Sequence, residues 1–405
     1  MSDVCLHLEG RYPGGGGVVT WIDSLVRQLP AVSFTVVAFT HPRCGAAPTE
    51  AAPPSNVDEV VEILLPDGDP AALPAGDVDI LAAAVPDAAV HHVLSVGVAS
   101  RVAARATSLQ GRPFLLTEHG IAWREKTLGQ LMADSITARA ARSNAALSAA
   151  VDAYRDAAAV TSVSRTGAAW QRALGAPASR VLQVANPVPQ PRRPAKPSVV
   201  SDDSGPLIGL VARVVMLKDI ATFVRAAALV ARECPTARFV VLGALHEDED
   251  YVQRCLDLAR SVGLGGRLTF AGEVDAWAWY PSLDVVVLTS RSEAQPFAVL
   301  EALSAGRPVV STAAGDVPHL LAGADPAGVV VPIADAHAVA DGVLRALVAD
   351  PVDIAAAARR IVDRFPSEAQ QATTYARLYD WAVEGNTIIV PAACVGTDRS
   401  RRGQS

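Results

Sequence analysis

The chain has 405 residues, of which 50% are hydrophobic and 19% charged, with a formal net charge of −7. That length exceeds one ordinary core and suggests two doubly wound domains. No run reaches the roughly 18 apolar residues of a membrane span, Met1-Ser2-Asp3-Val4-Cys5 lacks the basic and apolar regions of a secretion signal, and the acidic balance gives no footprint for nucleic acid, so a cytoplasmic address is expected.

Val4–Leu8 reads as a strand, Gly14–Gly17 as a turn, and Val18, Ile22, Leu25 and Leu29 as the buried stripe of a helix. Phe34–Phe39 follows as a second strand, whereas the Ala-, Pro- and Asp-rich stretch from Cys44 to Val90 reads as loops. His91–Val96, Pro113–Thr117 and Val160–Ser164 read as strands between Ala-rich helical stretches. Asn186–Pro206 holds six prolines and ends in Ser201-Asp202-Asp203-Ser204-Gly205. The domain boundary is expected there, with 191–205 as linker between a first domain (1–190) and a second (206–365).

Strand and helix patterns alternate from Pro206 onward, as in βαβ units around a parallel sheet. Pro206–Arg213, Arg238–Gly243, Arg267–Gly272, Asp284–Ser290 and Pro308–Thr312 read as strands. Ile220, Phe223, Val224, Ala227 and Val230 recur at helical spacing behind Asp219 as N-cap, and Tyr251–Val262 reads as a helix closed by Gly263. A helix from Pro296 to Ala305 stops at Gly306. A last helix, Glu368–Val383, is expected to cross back onto the first domain, ahead of a flexible tail, 386–405, that is apolar and then basic.

Two patterns carry chemistry. Ser292-Glu293-Ala294-Gln295-Pro296-Phe297-Ala298-Val299-Leu300-Glu301 follows a buried strand. Pro296 suits the first helical position, leaving backbone N–H groups for an anion such as a diphosphate, while the carboxylates of Glu293 and Glu301 can each accept bonds from a vicinal diol. The plain alternative is a capped helix with Glu301 on its polar face. Arg213 and Lys218 follow the first strand of the second half, where ligands of open α/β sheets collect; a solvated loop is the alternative. In the glycine run Gly14–Gly17 after the first strand, backbone without side chains can approach a phosphate or sugar closely; a surface turn is the alternative, and the run lacks GxGxxG phasing.

These features resemble glycosyltransferase family 4, in which an Arg and a Lys after the first strand of the second domain bind the donor phosphates and a Glu-x7-Glu pair binds sugar and ribose; the matching positions are Arg213, Lys218, Glu293 and Glu301. Glu9-Gly10-Arg11-Tyr12-Pro13, Gly16-Gly17-Val18 with Trp21, Thr117-Glu118-His119-Gly120-Ile121, Lys218-Asp219-Ile220 and Ser292-Glu293-Ala294-Gln295-Pro296 resemble the PelF-type exopolysaccharide glycosyltransferases. The resemblance spans roughly residues 4 to 380, interrupted between Arg43 and Val90, where this chain is shorter than that subgroup.

The resemblance implies an α/β fold of the GT-B type, two Rossmann-like domains facing across a cleft. It implies a retaining hexosyltransferase, with UDP-glucose the first donor to try and a saccharide or lipid-linked acceptor, associated peripherally with a membrane polysaccharide machine. Catalytic candidates are His119, Arg213, Lys218 and Glu293; donor-binding candidates are Gly16, Gly17, Arg213, Lys218, Val274, Glu293, Gln295, Pro296, Phe297 and Glu301. His119 would hydrogen-bond the donor sugar or place the acceptor, with Arg124 and Glu125 lining the same cleft. Ser164 and Asn186 also fall at family-like positions, though capping and turn chemistry account for them. Alternatives left open are a nucleotide-sugar epimerase of the same fold and a non-catalytic nucleotide-sugar binding subunit.

No metal or cofactor is expected. The five cysteines are scattered without a CxxC or Cys/His cluster and read as apolar filler. Asp67-Gly68-Asp69, Asp77-Val78-Asp79 and Asp248-Glu249-Asp250 spell DxD, but two lie in stretches read as loops and the third best supplies carboxylates to a helix start.

Overall fold

The computed structural model describes residues 1–14, 16–41, 52–66, 73–120, 136–189 and 205–385, with residues 136–145 described by backbone alone. The chain divides into two compact units: one holds the described residues up to Ala185 and those from Ala369 onward, the other Asn186–Glu368. The tail from 386 and the pair Arg124 and Glu125 lie outside the described residues. Among the described residues no helix is long and apolar enough to cross a membrane.

The first unit is built on a seven-stranded parallel sheet in the order β3-β2-β1-β4-β5-β6-β7. Its strands are β1 (Ser2–Glu9), β2 (Phe34–Thr40), β3 (Val57–Leu64), β4 (Ala88–Val93), β5 (Phe114–Glu118), β6 (Ala159–Ser162) and β7 (Val181–Gln183). Helices α1 (Gly17–Gln28), α2 (Ala75–Ala83), α3 (Val98–Gln110), α4 (Ile136–Asp156) and α5 (Arg165–Ala173) connect them. The buried face of α1 is Val19, Trp21, Ile22, Ser24, Leu25 and Val26, so the stripe is turned from the expected one, with Val18 and Leu29 only partly buried.

The stretch read as loops contains β3, α2 and the start of β4. Strand β3 stands at the sheet edge and mixes Asp58, Glu59 and Glu62 into its apolar residues; an edge strand tolerates charge that a central one excludes. Asp77 lies in the first turn of α2 and Asp79 pairs with Arg105 at 2.5 Å, so this DxD is helical. Asp67–Asp69 lies outside the described residues.

The second unit has a six-stranded parallel sheet, β10-β9-β8-β11-β12-β13. These are β8 (Leu207–Val211), β9 (Arg238–Leu242), β10 (Leu268–Gly272), β11 (Val285–Leu288), β12 (Val309–Thr312) and β13 (Gly328–Val331). Helices α6 (Ile220–Glu233), α7 (Glu249–Ser261), α8 (Phe297–Ser304), α9 (Ala336–Val348) and α10 (Pro351–Val362) cover it. All five apolar residues expected of α6 are buried, each contributing roughly 1.5–3 kcal/mol for a fully buried Val, Ile or Phe and less for Ala. Asp219 caps α6 and Asp248 caps α7.

In both sheets the strand order reverses at one point, between β1 and β4 and between β8 and β11. Successive crossovers diverge there and leave a crevice at the carboxyl ends of the two strands, the usual ligand position in such sheets.

The C-terminal helix (Glu368–Glu384) packs into the first unit through Gln371, Ala372, Tyr375, Leu378, Tyr379 and Ala382. Its polar atoms join a buried chain. His92 is fully buried and uses one ring nitrogen on Tyr379 Oη and the other on Thr117 Oγ1, both at 2.7 Å. Thr117 in turn meets Thr161 at 2.6 Å, and both lie 3.2 Å from Tyr375 Oη. Tyr379→Phe strands His92 Nδ1 and is expected to cost about 1–3 kcal/mol, a fall of several degrees in thermal midpoint. Tyr375→Phe should cost less, because the two threonines still bond each other; equal midpoints for wild type and Tyr379→Phe in a melting series would contradict this account.

Candidate functional site

The crevice of the second unit is made by two loops, one after β8 and one after β11. Val214 is fully buried and its N–H donates to Ala244 O at 2.9 Å, which pins the β8 loop between Arg213 and Lys218. Arg213 reaches outward, half exposed, and pairs with Glu247 at 2.6 Å. Lys218 ends a single 3-10 turn, Met216–Lys218, and its Nζ lies 2.5 Å from Glu293 Oε1 with both side chains largely buried. Asp219 has a left-handed backbone (φ 47°), accepts the Thr222 N–H and also holds Arg291 at 3.0 Å. Thr289 Oγ1 donates to Lys218 O and the Arg291 N–H to Leu217 O. The two loops are therefore tied by side chains and backbone alike.

Past Arg291 the chain turns inward. Ser292, Ala294, Gln295 and Pro296 are buried, while Glu293 and Phe297 keep some exposure. Gly315 makes this turn possible: its φ is +55°, and a Cβ there would fall 1.5 Å from Glu293 O. The following Asp316 N–H donates to Ala294 O.

Pro296 is the N-cap of α8, one position earlier than expected. Its carbonyl accepts the Val299 and Leu300 N–H groups, leaving those of Phe297 and Ala298 as the donors of the helix end. Gln295 accepts the Asn186 N–H at 2.5 Å through its side chain and the Asn186 Nδ2–H at 2.9 Å through its carbonyl. Asn186 is thus a buried clamp on the site loop rather than a linker turn. Glu301 Oε2 accepts from Tyr280 Oη at 2.7 Å, and burial together with that carboxylate raises the phenol's pKa well above its ordinary value. Val274 stands exposed beyond β10, separated by β9 from β8.

In the first unit, Glu9 at the end of β1 accepts the Ala99 N–H at the start of α3, and Gly97 leaves the room: a Cβ there would lie 2.1 Å from Glu9 Oε1. Gly16 is the exposed N-cap of α1 and Gly17 its first residue, with no side-chain cap at that helix end. Trp21 on α1 is fully buried and meets the His119 ring edge-on at 4.9 Å. Both His119 ring nitrogens are buried without a hydrogen-bond partner among the described residues. Burial lowers its pKa to about 3, so at neutral pH the ring presents one N–H donor and one bare nitrogen. Ser164 accepts the Gly167 N–H at 3.0 Å as the N-cap of α5, a structural role.

Arg291, Gly315 and the grip of Asn186 on Gln295 are not among the features expected from the sequence. Arg291 and Gly315 stand in loops directly after strands, but their partners are distant in sequence and lacked a local pattern.

Residues 205–349 match the family model described as glycosyl transferases group 1, and residues 2–76 and 72–179 match a domain of unknown function, DUF3492. A 116-residue stretch is 33% identical to the Vi polysaccharide biosynthesis protein VipC/TviE of Salmonella typhi, covering 28% of this chain and 19% of that relative. Among solved structures, a sucrose-phosphate synthase from Thermosynechococcus elongatus is similar with a TM-score of 0.74 at 20% identity, over 95% of this chain and 100% of the other. Anabaena HepE in complex with UDP and glucose is similar with a TM-score of 0.72 at 18% identity, over 94% and 100%. The structural likenesses show the fold, which is GT-B, and the match to the glycosyl transferases group 1 model falls within its second unit.

Gly315→Ala is expected to lower the thermal midpoint by much more than Gly323→Ala. Both glycines have positive φ, but a Cβ at Gly323 meets nothing within 4 Å. The control bears only the backbone cost of about 1 kcal/mol; equal effects in a melting experiment would remove the steric account of the Glu293 turn.

Proposed function

We propose that the chain is a glycosyltransferase that moves a hexose from a nucleotide diphosphate sugar, UDP-glucose first among donors, to a hydroxyl of a saccharide or lipid-linked acceptor in polysaccharide synthesis at the cytoplasmic face of a membrane. The carrying observation is the meeting of Lys218 with Glu293 where the β8 and β11 loops are tied together at the strand-order reversal. Cations, a helix start and carboxylates share that crevice, and a nucleotide diphosphate sugar offers the complementary set of phosphates and diols. The group 1 match over residues 205–349 supports this reading, as do the UDP and glucose held by the Anabaena neighbour and the polysaccharide role in the name of the Salmonella relative.

In this reading Arg213 and Lys218 take the diphosphate. Exposed ion pairs such as Arg213 with Glu247 are worth only about 0–1 kcal/mol, so a diphosphate oxygen displaces the carboxylate readily. Lys218 stays in place between Glu293 and the phosphate. The Phe297 and Ala298 N–H groups add two backbone donors, and Glu293 and Glu301 accept from sugar and ribose hydroxyls. During transfer the bond between the anomeric carbon and the diphosphate oxygen breaks and one to the acceptor oxygen forms, releasing the nucleotide diphosphate and the acceptor's proton. Charge builds on the departing oxygens, where fixed cations stabilise it most. No carboxylate is assigned as covalent nucleophile, and the donor's anomeric configuration is retained.

Arg213→Ala and Lys218→Ala are each expected to weaken donor binding or turnover by at least about tenfold, the equivalent of about 1.4 kcal/mol. Arg213→Ala should leave the melting temperature of the empty protein nearly unchanged. Lys218→Ala also strands Glu293 and should lower it, so its kinetics are read well below the midpoint. Arg213→Lys should rescue only in part, because an ammonium lacks the bidentate fork. Wild-type donor binding in both alanine variants would return the two cations to surface charge.

Because phosphate charge is met by side chains and backbone, turnover is expected to survive EDTA. Complete loss on chelation, restored by Mg²⁺ or Mn²⁺, would remove the clamp.

A further inference from the structure

One of the five scattered cysteines and two of the eight histidines converge once the chain folds. Cys5 and His7 are two apart on β1 and so share one face of the sheet, and His91 on β4 is the register partner of Cys5. One thiol and two imidazoles therefore stand side by side over adjacent central strands of the first unit. All three residues are fully buried, and one ligand atom from each lies within 4.8 Å of the others.

As an apolar filler this trio is a poor choice. His7 Nε2 and His91 Nδ1 face each other at 2.9 Å, yet His7 Nδ1 and His91 Nε2 are buried with no hydrogen-bond partner among the described residues. An unpaired buried polar atom costs about 1–3 kcal/mol, and leucines or valines at these positions would avoid it. Phe39 stacks on His7 and closes that side with carbon.

We propose that Cys5, His7 and His91 form a buried site for a single zinc(II) or copper(I) ion that stabilises the first unit. Thiolate with imidazole is the donor set of these ions and not of magnesium or calcium. Two imidazole nitrogens bound to one zinc at ~2.0–2.1 Å stand roughly 3.3 Å apart, close to the 2.9 Å at which His7 Nε2 faces His91 Nδ1, and the Cys5 thiol lies within 4.8 Å to complete the set. Binding replaces the Cys5 thiol proton, which leaves to solvent as the sulfur–metal bond forms. The ion enters before the strands close, so its affinity appears as folding stability. This site is independent of the donor chemistry proposed above: its readouts are metal content, spectrum and stability, and the failure of either proposal leaves the other standing.

The test uses the full chain expressed with zinc or copper and dialysed without metal. Elemental analysis is expected to find about one equivalent of one of the two ions, and a chain prepared in chelator should melt lower than the loaded one, since a ligand held only by the native state stabilises it. Cobalt(II) added during refolding should give a thiolate-to-cobalt charge-transfer band. That band should persist when Cys44, Cys234, Cys255 and Cys394 are all replaced by Ala, and vanish in Cys5→Ala together with the metal-dependent rise in midpoint. Neither ion retained and no shift on adding either would overturn the proposal, as would full loading and shift in a folded Cys5→Ala. Should Cys5→Ala fail to fold, a missing cobalt band in the four-cysteine variant decides against it.

Discussion

Lys218 and Glu293 are separated by 75 positions in the chain and meet because β8 and β11 are neighbours in a sheet whose strand order reverses between them. The reversal sends one crossover to each side and leaves two loops facing each other, and the rest of the site follows from how those loops are held. Asp219 anchors one to the other through Arg291 while capping α6, so a single carboxylate fixes both a helix start and a loop junction. Gly315 and Asp316 support the second loop from beneath, and Asn186 closes over Gln295. Glu293 is thus held by its neighbours' backbone, not by its own side-chain preferences. Such support is what keeps a binding group within the narrow geometric tolerance that catalysis needs.

The first unit follows a different logic. Its central strands carry polar side chains into the core, and those facing the C-terminal helix are linked in chains rather than in isolated pairs. His92 joins Tyr379 to Thr117, and Thr117 joins Thr161 to Tyr375. Glu118, at the end of β5, accepts from Tyr154 at 2.6 Å and from Gln171 at 2.9 Å. A fully satisfied buried network rigidifies and specifies one arrangement, whereas a broken one is costly. The C-terminal helix is consequently specified by hydrogen bonds as well as apolar area. His119, next along the chain from Glu118, departs from this pattern, with no partner for either ring nitrogen among the described residues, as do His7 and His91 with one ring nitrogen each.

How much of this was legible in the sequence depended on burial and sequence distance. Leu207–Val211 and Val285–Leu288 are apolar runs buried on both faces, and both were read as strands because nothing else in a domain of this size needs such runs. Helix α6 was readable from apolar residues recurring at helical spacing, down to its Asp219 cap. Edge strand β3 was missed because its charges mimic a loop, and β13, Gly328–Val331, because it too stands at a sheet edge, with only Val331 buried. The α1 stripe was misphased: bare glycines preceding it offer no cap to set the phase, and Trp21 rather than Val18 faces inward. Gln295 was read as a ligand contact, yet it holds Asn186, 109 positions away. The convergence of Cys5 and His7 with His91 was equally invisible, since it depends on β1 pairing with β4 rather than on any spacing.

The central claim is that the second unit's crevice takes a nucleotide diphosphate sugar. The most direct measurement is the thermal midpoint of the purified chain against UDP, GDP, ADP and dTDP and their hexose conjugates over a range of concentrations. A ligand bound only by the native state raises the midpoint with concentration. Such a rise is expected for one nucleoside diphosphate and its sugar, strongest for the UDP series, and in Lys218→Ala only at concentrations at least about tenfold higher. A midpoint unmoved by every nucleotide and sugar nucleotide in the panel would contradict it.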